Sequence, residues 1–131
     1  MLRLEFSIGG YFGDSFAIKL DGATVEYSHY PERSDVASTA TLEASAAQLS
    51  AFVATLDELG VDGWEPRYSS MAVDGTSWHL VIDRGGRVLE SGGSNGYPDD
   101  KDAARTSEHV SARFQAFLDA LSALAGGRPI Y

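Results

Sequence analysis

Alternation is the feature that most constrains how this chain can fold. Leu2, Leu4, Phe6 and Ile8 are separated by Arg3, Glu5 and Ser7, and the same pattern returns in Phe16, Ile18 and Leu20 and again in Trp78, Leu80 and Ile82. Successive side chains of a strand point to opposite faces, so each segment offers one apolar row to a core and one polar row to water. A chain written this way builds a half-buried antiparallel sheet, and another layer must cover its apolar side.

Turn residues join these strands. Asp21-Gly22 gives a strong hairpin signal, after which Val25, Tyr27 and His29 resume the alternation, so the first three strands read as an antiparallel meander. The glycine-rich connection from Gly9 to Asp14 lacks the Gly-Lys-Ser/Thr of a phosphate loop and reads as a hairpin loop. His29 falls on the apolar face and is expected to be a hydrogen-bonded core or rim histidine. Val36, Ser38, Ala40 and Leu42 make a fourth strand, and Arg67 to Val73 a short one leading to the Asp74-Gly75 turn. Beyond Gly85-Gly86, Val88 and Leu89 are adjacent and break the alternation. A bulge there would put Leu89 inward and Glu90 in solvent. Simple alternation from Val88 would instead bury Glu90, raising its pKa and making it a candidate base.

Two segments carry helical periodicity. Ser45-Ala-Ala-Gln48 has the form of a capping box, and Leu49, Phe52, Val53, Leu56 and Leu59 follow as one apolar stripe ending at Gly60. A second helix starts between Asp102 and Ser107, with Val110, Phe114, Phe117, Leu118, Leu121 and Leu124 as its stripe, stopped by Gly126-Gly127 and Pro129. The expected fold is a two-layer α+β sandwich, an antiparallel sheet of about six or seven strands with two helices on one face. Residues 1–131 form a single domain. Leu49–Leu59 aligns with Phe114–Leu124, and Ser15–Asp21 with Ser77–Asp83, which suggests pseudo-repeat halves of about 1–62 and 63–131.

The apolar share of 44% and charged share of 22% are those of an ordinary globular chain. Ten basic against nineteen acidic residues leave a net charge of −9, which repels phosphate backbones and anionic lipid, so neither nucleic acid nor membrane is an expected partner. The first residues lack the apolar run of a signal peptide, and the expectation is a cytoplasmic protein. There are no cysteines, and the three histidines are too widely spaced for a recognisable metal motif, so no metal and no cofactor is expected. Asp99, Asp100 and Asp102 lack the spacing of a calcium loop and read as a solvated stretch or a helix N-terminus.

No catalytic constellation stands out. The segment Gly92-Gly-Ser-Asn-Gly-Tyr-Pro98 has no counterpart in the first half. Ser94 and Asn95, with the nearby aromatics Tyr97, Trp64 and Tyr68, are therefore the candidate ligand- or partner-binding residues. The succession Trp64, Tyr68, Asp74-Gly75-Thr76, Trp78, Leu80, Ile82 and Gly92 to Pro98 resembles a group of uncharacterised bacterial proteins with a Trp-x3-Tyr, Asp-Gly-Thr-x-Trp and Gly-x-Asn-x-Tyr-Pro signature. That resemblance covers mainly the second half of the chain and brings no established activity. Three readings follow: a protein-binding module of regulatory or immunity type, a small-molecule-binding domain with its site near residues 92–98, and a hydrolase using Glu90 or His79. The last requires both groups in one cleft.

Overall fold

The alternating segments form the sheet they announce. The structure, a computed structural model, describes residues 2–10, 13–32, 36–71 and 75–131. Tyr11 and Phe12 of the first connection, Arg33–Asp35 of the loop before the fourth strand, and Ala72–Asp74 lie outside the described residues, and the short strand expected over Arg67 to Val73 ends within the described ones, at Ser69. In chain order the elements are β1 (Leu2–Gly10), β2 (Ser15–Asp21), β3 (Thr24–Tyr30), β4 (Ser38–Glu43) and α1 (Ala46–Leu59). A single 3-10 turn (Val61–Gly63) is followed by β5 (Arg67–Ser69), β6 (Thr76–Arg84), β7 (Arg87–Ser94), β8 (Tyr97–Pro98), β9 (Thr106–Ser107) and α2 (Ala112–Leu124).

The main sheet has seven strands in the order β4-β3-β2-β1-β6-β7-β5, and β8 and β9 form a separate two-stranded ribbon. Strand β1 is central. Its inward residues are each flanked by one residue from either side: Ile8 by Phe16 and Trp78, Phe6 by Ile18 and Leu80, Leu4 by Leu20 and Ile82. The two segments that align in sequence thus lie on opposite sides of the same strand. All these side chains are buried, in one core with Phe52 and Leu56 of α1 and Phe114, Phe117, Leu118 and Leu121 of α2. Burying each such side chain contributes about 1.5–3 kcal/mol. The two helices pack against each other and cover this one face.

Local signals explain the helix ends. Ser45 and Gln48 form the complete capping box, and Gly60 closes α1 in the left-handed conformation with φ 66°. Arg84 at the end of β6 reaches Asp57 at 2.9 Å and Asp62 at 3.2 Å, tying the hairpin to the end of α1. The hydrogen bond to Asp57 is the main cause that holds the Arg84 guanidinium above its ordinary pKa.

Three expectations are corrected. The main sheet is mixed, because β5 pairs with β7 in parallel, Arg67 opposite Gly92 and Ser69 opposite Ser94. Strand β6 takes the position beside β1, and β7 fills the space between β6 and β5. Two reversals therefore separate β5 from its neighbour, and the two run in the same direction. Second, no bulge interrupts β7. The register runs unbroken from Ser77 opposite Ser94 to Arg84 opposite Arg87, and Gly85 and Gly86, at φ 64° and 97°, close a tight two-residue hairpin. Val88 simply faces out, 64% exposed, while Leu89 packs against the core and Glu90 is in solvent.

Third, α2 begins at Ala112, later than its stripe implies, and Val110 lies outside it. The preceding residues are occupied otherwise: Tyr97 and Pro98 pair with Ser107 and Thr106, and Asp99 donates its N–H to the Arg105 carbonyl at 3.0 Å. Ser111 then caps the helix by accepting the Phe114 N–H at 3.0 Å, and donates its own hydroxyl to the Pro98 carbonyl at 2.5 Å. Asp100 serves the same end from a distance, its carboxylate accepting the N–H groups of Ala112 at 3.2 Å and Arg113 at 2.8 Å.

Candidate functional site

The segment from Gly92 to Pro98 is built as a tight backbone turn against Trp78. Asn95 is left-handed at φ 53°, donates its N–H to the Thr76 carbonyl at 2.8 Å and accepts the Thr76 N–H on its side-chain oxygen at 3.0 Å. The Trp78 indole donates to the Gly96 carbonyl at 2.9 Å. Gly93 lies so close that a β-carbon there would come within 2.2 Å of the Gly96 carbonyl oxygen and 2.3 Å of the indole nitrogen, so only glycine fits. The glycines that set this segment apart in sequence let three backbone stretches and an indole meet.

The aromatic candidates sit beneath the turn. Trp64, Tyr68 and Tyr97 are 3%, 0% and 5% exposed. Trp64 meets Trp78 edge-on with centroids 6.1 Å apart, Tyr68 stacks on Trp78 at 6.0 Å, and Tyr97 tilts against Phe114 at 5.0 Å. The Tyr68 hydroxyl accepts the Glu65 N–H at 2.8 Å and donates to the Ala103 carbonyl. Burial pushes the phenols of Tyr68 and Tyr97 above their ordinary pKa. Of the five residues singled out by sequence, Ser94 alone is exposed; Asn95 is half-buried.

Ser94 points to the other side of the sheet, which the helices leave uncovered. Its row continues through Ser77 on β6 and Ser69 on β5. The next row runs from Arg67 through Gly92, His79, Ser7, Ala17 and Ser28 to Thr39, as the strand registers dictate. Small side chains in these rows leave two shallow depressions that meet at His79. One, of about 590 Å³, lies over β5, β7 and β6 and is lined by Arg67, Ser69, His79, Glu90, Gly92 and Ser94 among others. The other, of about 350 Å³, lies over β1, β2 and β3, with Ser7, Ala17 and Ser28 low between Glu5, Lys19 and Glu26.

His79 and Glu90 are brought together here, their side chains 2.9 Å apart and 55% and 69% exposed. Among the described residues no hydroxyl bonds to the His79 imidazole, so the pair has no attached nucleophile. His29 is elsewhere, at the rim of the apolar face. It stacks on Phe16 at 4.6 Å and bonds to Asp14 at 2.7 Å. The backbone N–H of Glu32 and the His29 ring hold the Asp14 carboxyl below its usual range. Among the described residues no three acidic or histidine side chains form a metal-binding group. Asp99, Asp100 and Asp102 each accept backbone N–H groups instead.

Sequence reasoning missed Arg67 and Ser69 as members of a surface site. The one signal was their alternation with Tyr68, because the parallel pairing that places them beside Gly92 and Ser94 leaves no local mark. No protein-family model matches the chain, and no curated protein matches its sequence. No helix among the described residues is long and apolar enough to cross a membrane.

Proposed function

We propose that the protein is a binding module whose uncovered sheet face receives a basic segment of another protein. The observation that carries this reading is the asymmetry of the sheet: helices cover one face, while the other is open, troughed by small side chains and rimmed by acid. Glu5, Asp21, Glu26, Glu43, Asp83 and Glu90 lie on that face against Arg3, Lys19 and Arg67. Arg3 pairs with Asp21 at 3.3 Å and Lys19 with Glu5 at 3.4 Å, which leaves the acidic excess for an incoming cation. The net charge of −9 favours the same partner and disfavours nucleic acid. A cytoplasmic regulatory or immunity-type module fits this chemistry, and the bacterial group that the second half resembles is the proposed kinship.

The test is a titration of the isotope-labelled protein with a lysine- and arginine-rich peptide, followed by amide shifts. Binding should move Ser7, Lys19, Val81 and Glu90 and weaken with salt, and Glu26→Lys with Glu90→Lys should abolish it. Shifts confined to the helices, or none, would sink the proposal.

A second reading, a small-molecule site near the 92–98 segment, is favoured by the depression of about 590 Å³ over Ser94, which falls in the range of about 300–1,000 Å³ typical of ligand clefts. Here Arg67 would meet a carboxylate or phosphate. Titration with acetate and with inorganic phosphate, with Arg67→Ala as control, separates it from the first reading.

A further inference from the structure

We propose that β4 is a docking edge for a second copy of this chain, joining two sheets into one across a two-fold axis at Thr41. The argument begins with which backbone groups β3 uses. Ala44 donates its N–H to the Ala23 carbonyl at 2.8 Å, and Thr24 stands opposite Glu43. In an antiparallel ladder hydrogen-bonded and non-hydrogen-bonded pairs alternate, so Leu42, Ala40 and Ser38 bond to β3. The N–H and C=O groups of Thr39, Thr41 and Glu43 therefore point away from the sheet.

Apart from the charge of Glu43 at its end, nothing in β4 protects this edge. Edge strands are ordinarily blunted by proline, lysine, a bulge, shortness or a cover. Ser38-Thr-Ala-Thr-Leu-Glu43 holds no proline and no lysine, and its register with β3 is unbroken. The opposite edge is managed differently: β5 has only three residues, and the β8–β9 ribbon packs beside it. Among the described residues no strand or helix packs on the outer side of β4 to the extent that β8 and β9 flank β5.

The occupant follows from the spacing. The outward-pointing groups sit at Thr39, Thr41 and Glu43, symmetric about Thr41. A second copy turned by half a revolution about an axis through the sheet sets Thr41 opposite Thr41 and Thr39 opposite Glu43. Every free N–H and C=O of the strand then finds a partner. A shift of two residues either way leaves one outward residue of each copy opposite a position beyond the strand, and a shift of one would turn the outer row inward. In the symmetric register the exposed row pairs threonine with threonine and threonine with glutamate, both favourable across strands. The second combination already occurs within the chain, where Thr24 donates its hydroxyl to Glu43 at 2.7 Å. No glutamate faces another. On the core side Ala40 would meet Leu42, both only partly buried in the single chain. Each copy carries a charge of −9, so association should strengthen as salt screens the repulsion.

The experiment is sedimentation velocity of the whole chain from micromolar to millimolar concentration, at low and moderate salt, with amide exchange of the same samples. A monomer–dimer equilibrium favoured by salt is expected, with exchange of the Thr39, Thr41 and Glu43 amides slowing as concentration rises while those of Ala40 and Leu42 do not change. Thr41→Pro removes a donor from the free edge without touching a bond to β3 and should leave only monomer. Thr41→Lys, which keeps the backbone intact, should weaken the dimer most at low salt and keeps the test decisive if the proline variant does not fold. A chain that stays monomeric throughout, or a dimer indifferent to both substitutions, overturns the proposal. So does a monomer whose β4 amides respond only to an added extended peptide, which would assign the edge to a foreign strand.

Discussion

Trp78 donates its indole N–H to the carbonyl of Gly96, 2.9 Å away and 18 residues further along the chain. That bond fixes the segment after β7 to the row that forms the centre of the core. The indole also packs with Tyr68, Trp64, Phe6 and Phe114. Trp78→Phe keeps much of the apolar surface and loses the donor, leaving the Gly96 carbonyl without it. The expected cost is about 2–3 kcal/mol, combining the lost hydrogen bond and a partly filled cavity. A lowered urea midpoint with an unchanged slope checks it.

Gly93→Ala attacks the same junction from the backbone side. The added methyl would overlap the Gly96 carbonyl and the indole nitrogen, neither of which is the free end of a flexible chain. Destabilisation of about 1–3 kcal/mol or more is expected, as for overpacked cores. Gly86→Ala is the contrast: nothing lies within 4 Å of its β-carbon, and only the strained φ of 97° opposes it. Thermal unfolding of the pair should rank Gly93→Ala well below Gly86→Ala.

Arg113 ties the end of α1 to the start of α2, and Asp100 caps that start. The Arg113 guanidinium donates to the carbonyls of Leu59 at 2.7 Å, Asp99 at 3.1 Å and Asp100 at 3.1 Å. Asp100→Ala removes the acceptor for two N–H groups of the first turn of α2 and should cost about 1 kcal/mol, as capping losses do. Arg113→Met leaves the end of α1 without its partner and should cost about 1.5–3 kcal/mol. Amide exchange should accelerate at Ala112 and Arg113 in the first variant, while Phe52 and Leu56 in α1 are unaffected.

Alkaline pH should unfold the protein through its tyrosines. Burial raises the phenols of Tyr27, Tyr68 and Tyr97 above the ordinary value of 10.0. The unfolded chain therefore loses these protons first, so the stability they contribute is complete below pH 10 and declines as pH climbs through the folded values. Phenolate absorbance against pH should show the Tyr27, Tyr68 and Tyr97 share of the titration arriving only with the loss of helical circular dichroism. Complete titration near the ordinary value with the fold intact would contradict the burial argument.

The outer face should be energetically quiet. His79 and Glu90 are both more than half exposed. His79→Ala and Glu90→Gln should each change stability by about 0.5 kcal/mol or less, since exposed pairs are worth little. This leaves both available as probes of binding without loss of fold, and chemical denaturation of the two variants checks it.

Strands whose inward rows are purely aliphatic or aromatic could be read directly from sequence. Leu4, Phe6 and Ile8, or Trp78, Leu80 and Ile82, declare both the strand and its buried side, and the capping box of Ser45 and Gln48 declares the start of α1. What could not be read is whatever depends on partners distant in the chain. Val110 lies on the helical period of Phe114, yet the pairing of Tyr97 with Ser107 keeps it outside α2. Leu89 beside Val88 looked like a bulge because local pattern cannot say that an exposed valine lies opposite Asp83 on a free face. The candidate loop was legible as special. Its purpose was not, because glycines that permit close packing and glycines that open a site spell the same word.

The central position of β1 has a consequence for the growing polypeptide. Its nine residues are synthesised before every other strand of the sheet, yet one of its two flanks is β6, which begins at Thr76. When the ribosome has released β2, β3, β4 and α1, the oldest strand still has half of its backbone groups waiting. The first half can collapse early, but the closing step must bring residues some seventy positions apart into register, a costly loop closure of the kind that slows folding. Folding speed should therefore respond to substitutions at Phe6 and Leu80 more than at Val25 and Leu42, whose hairpin is already local.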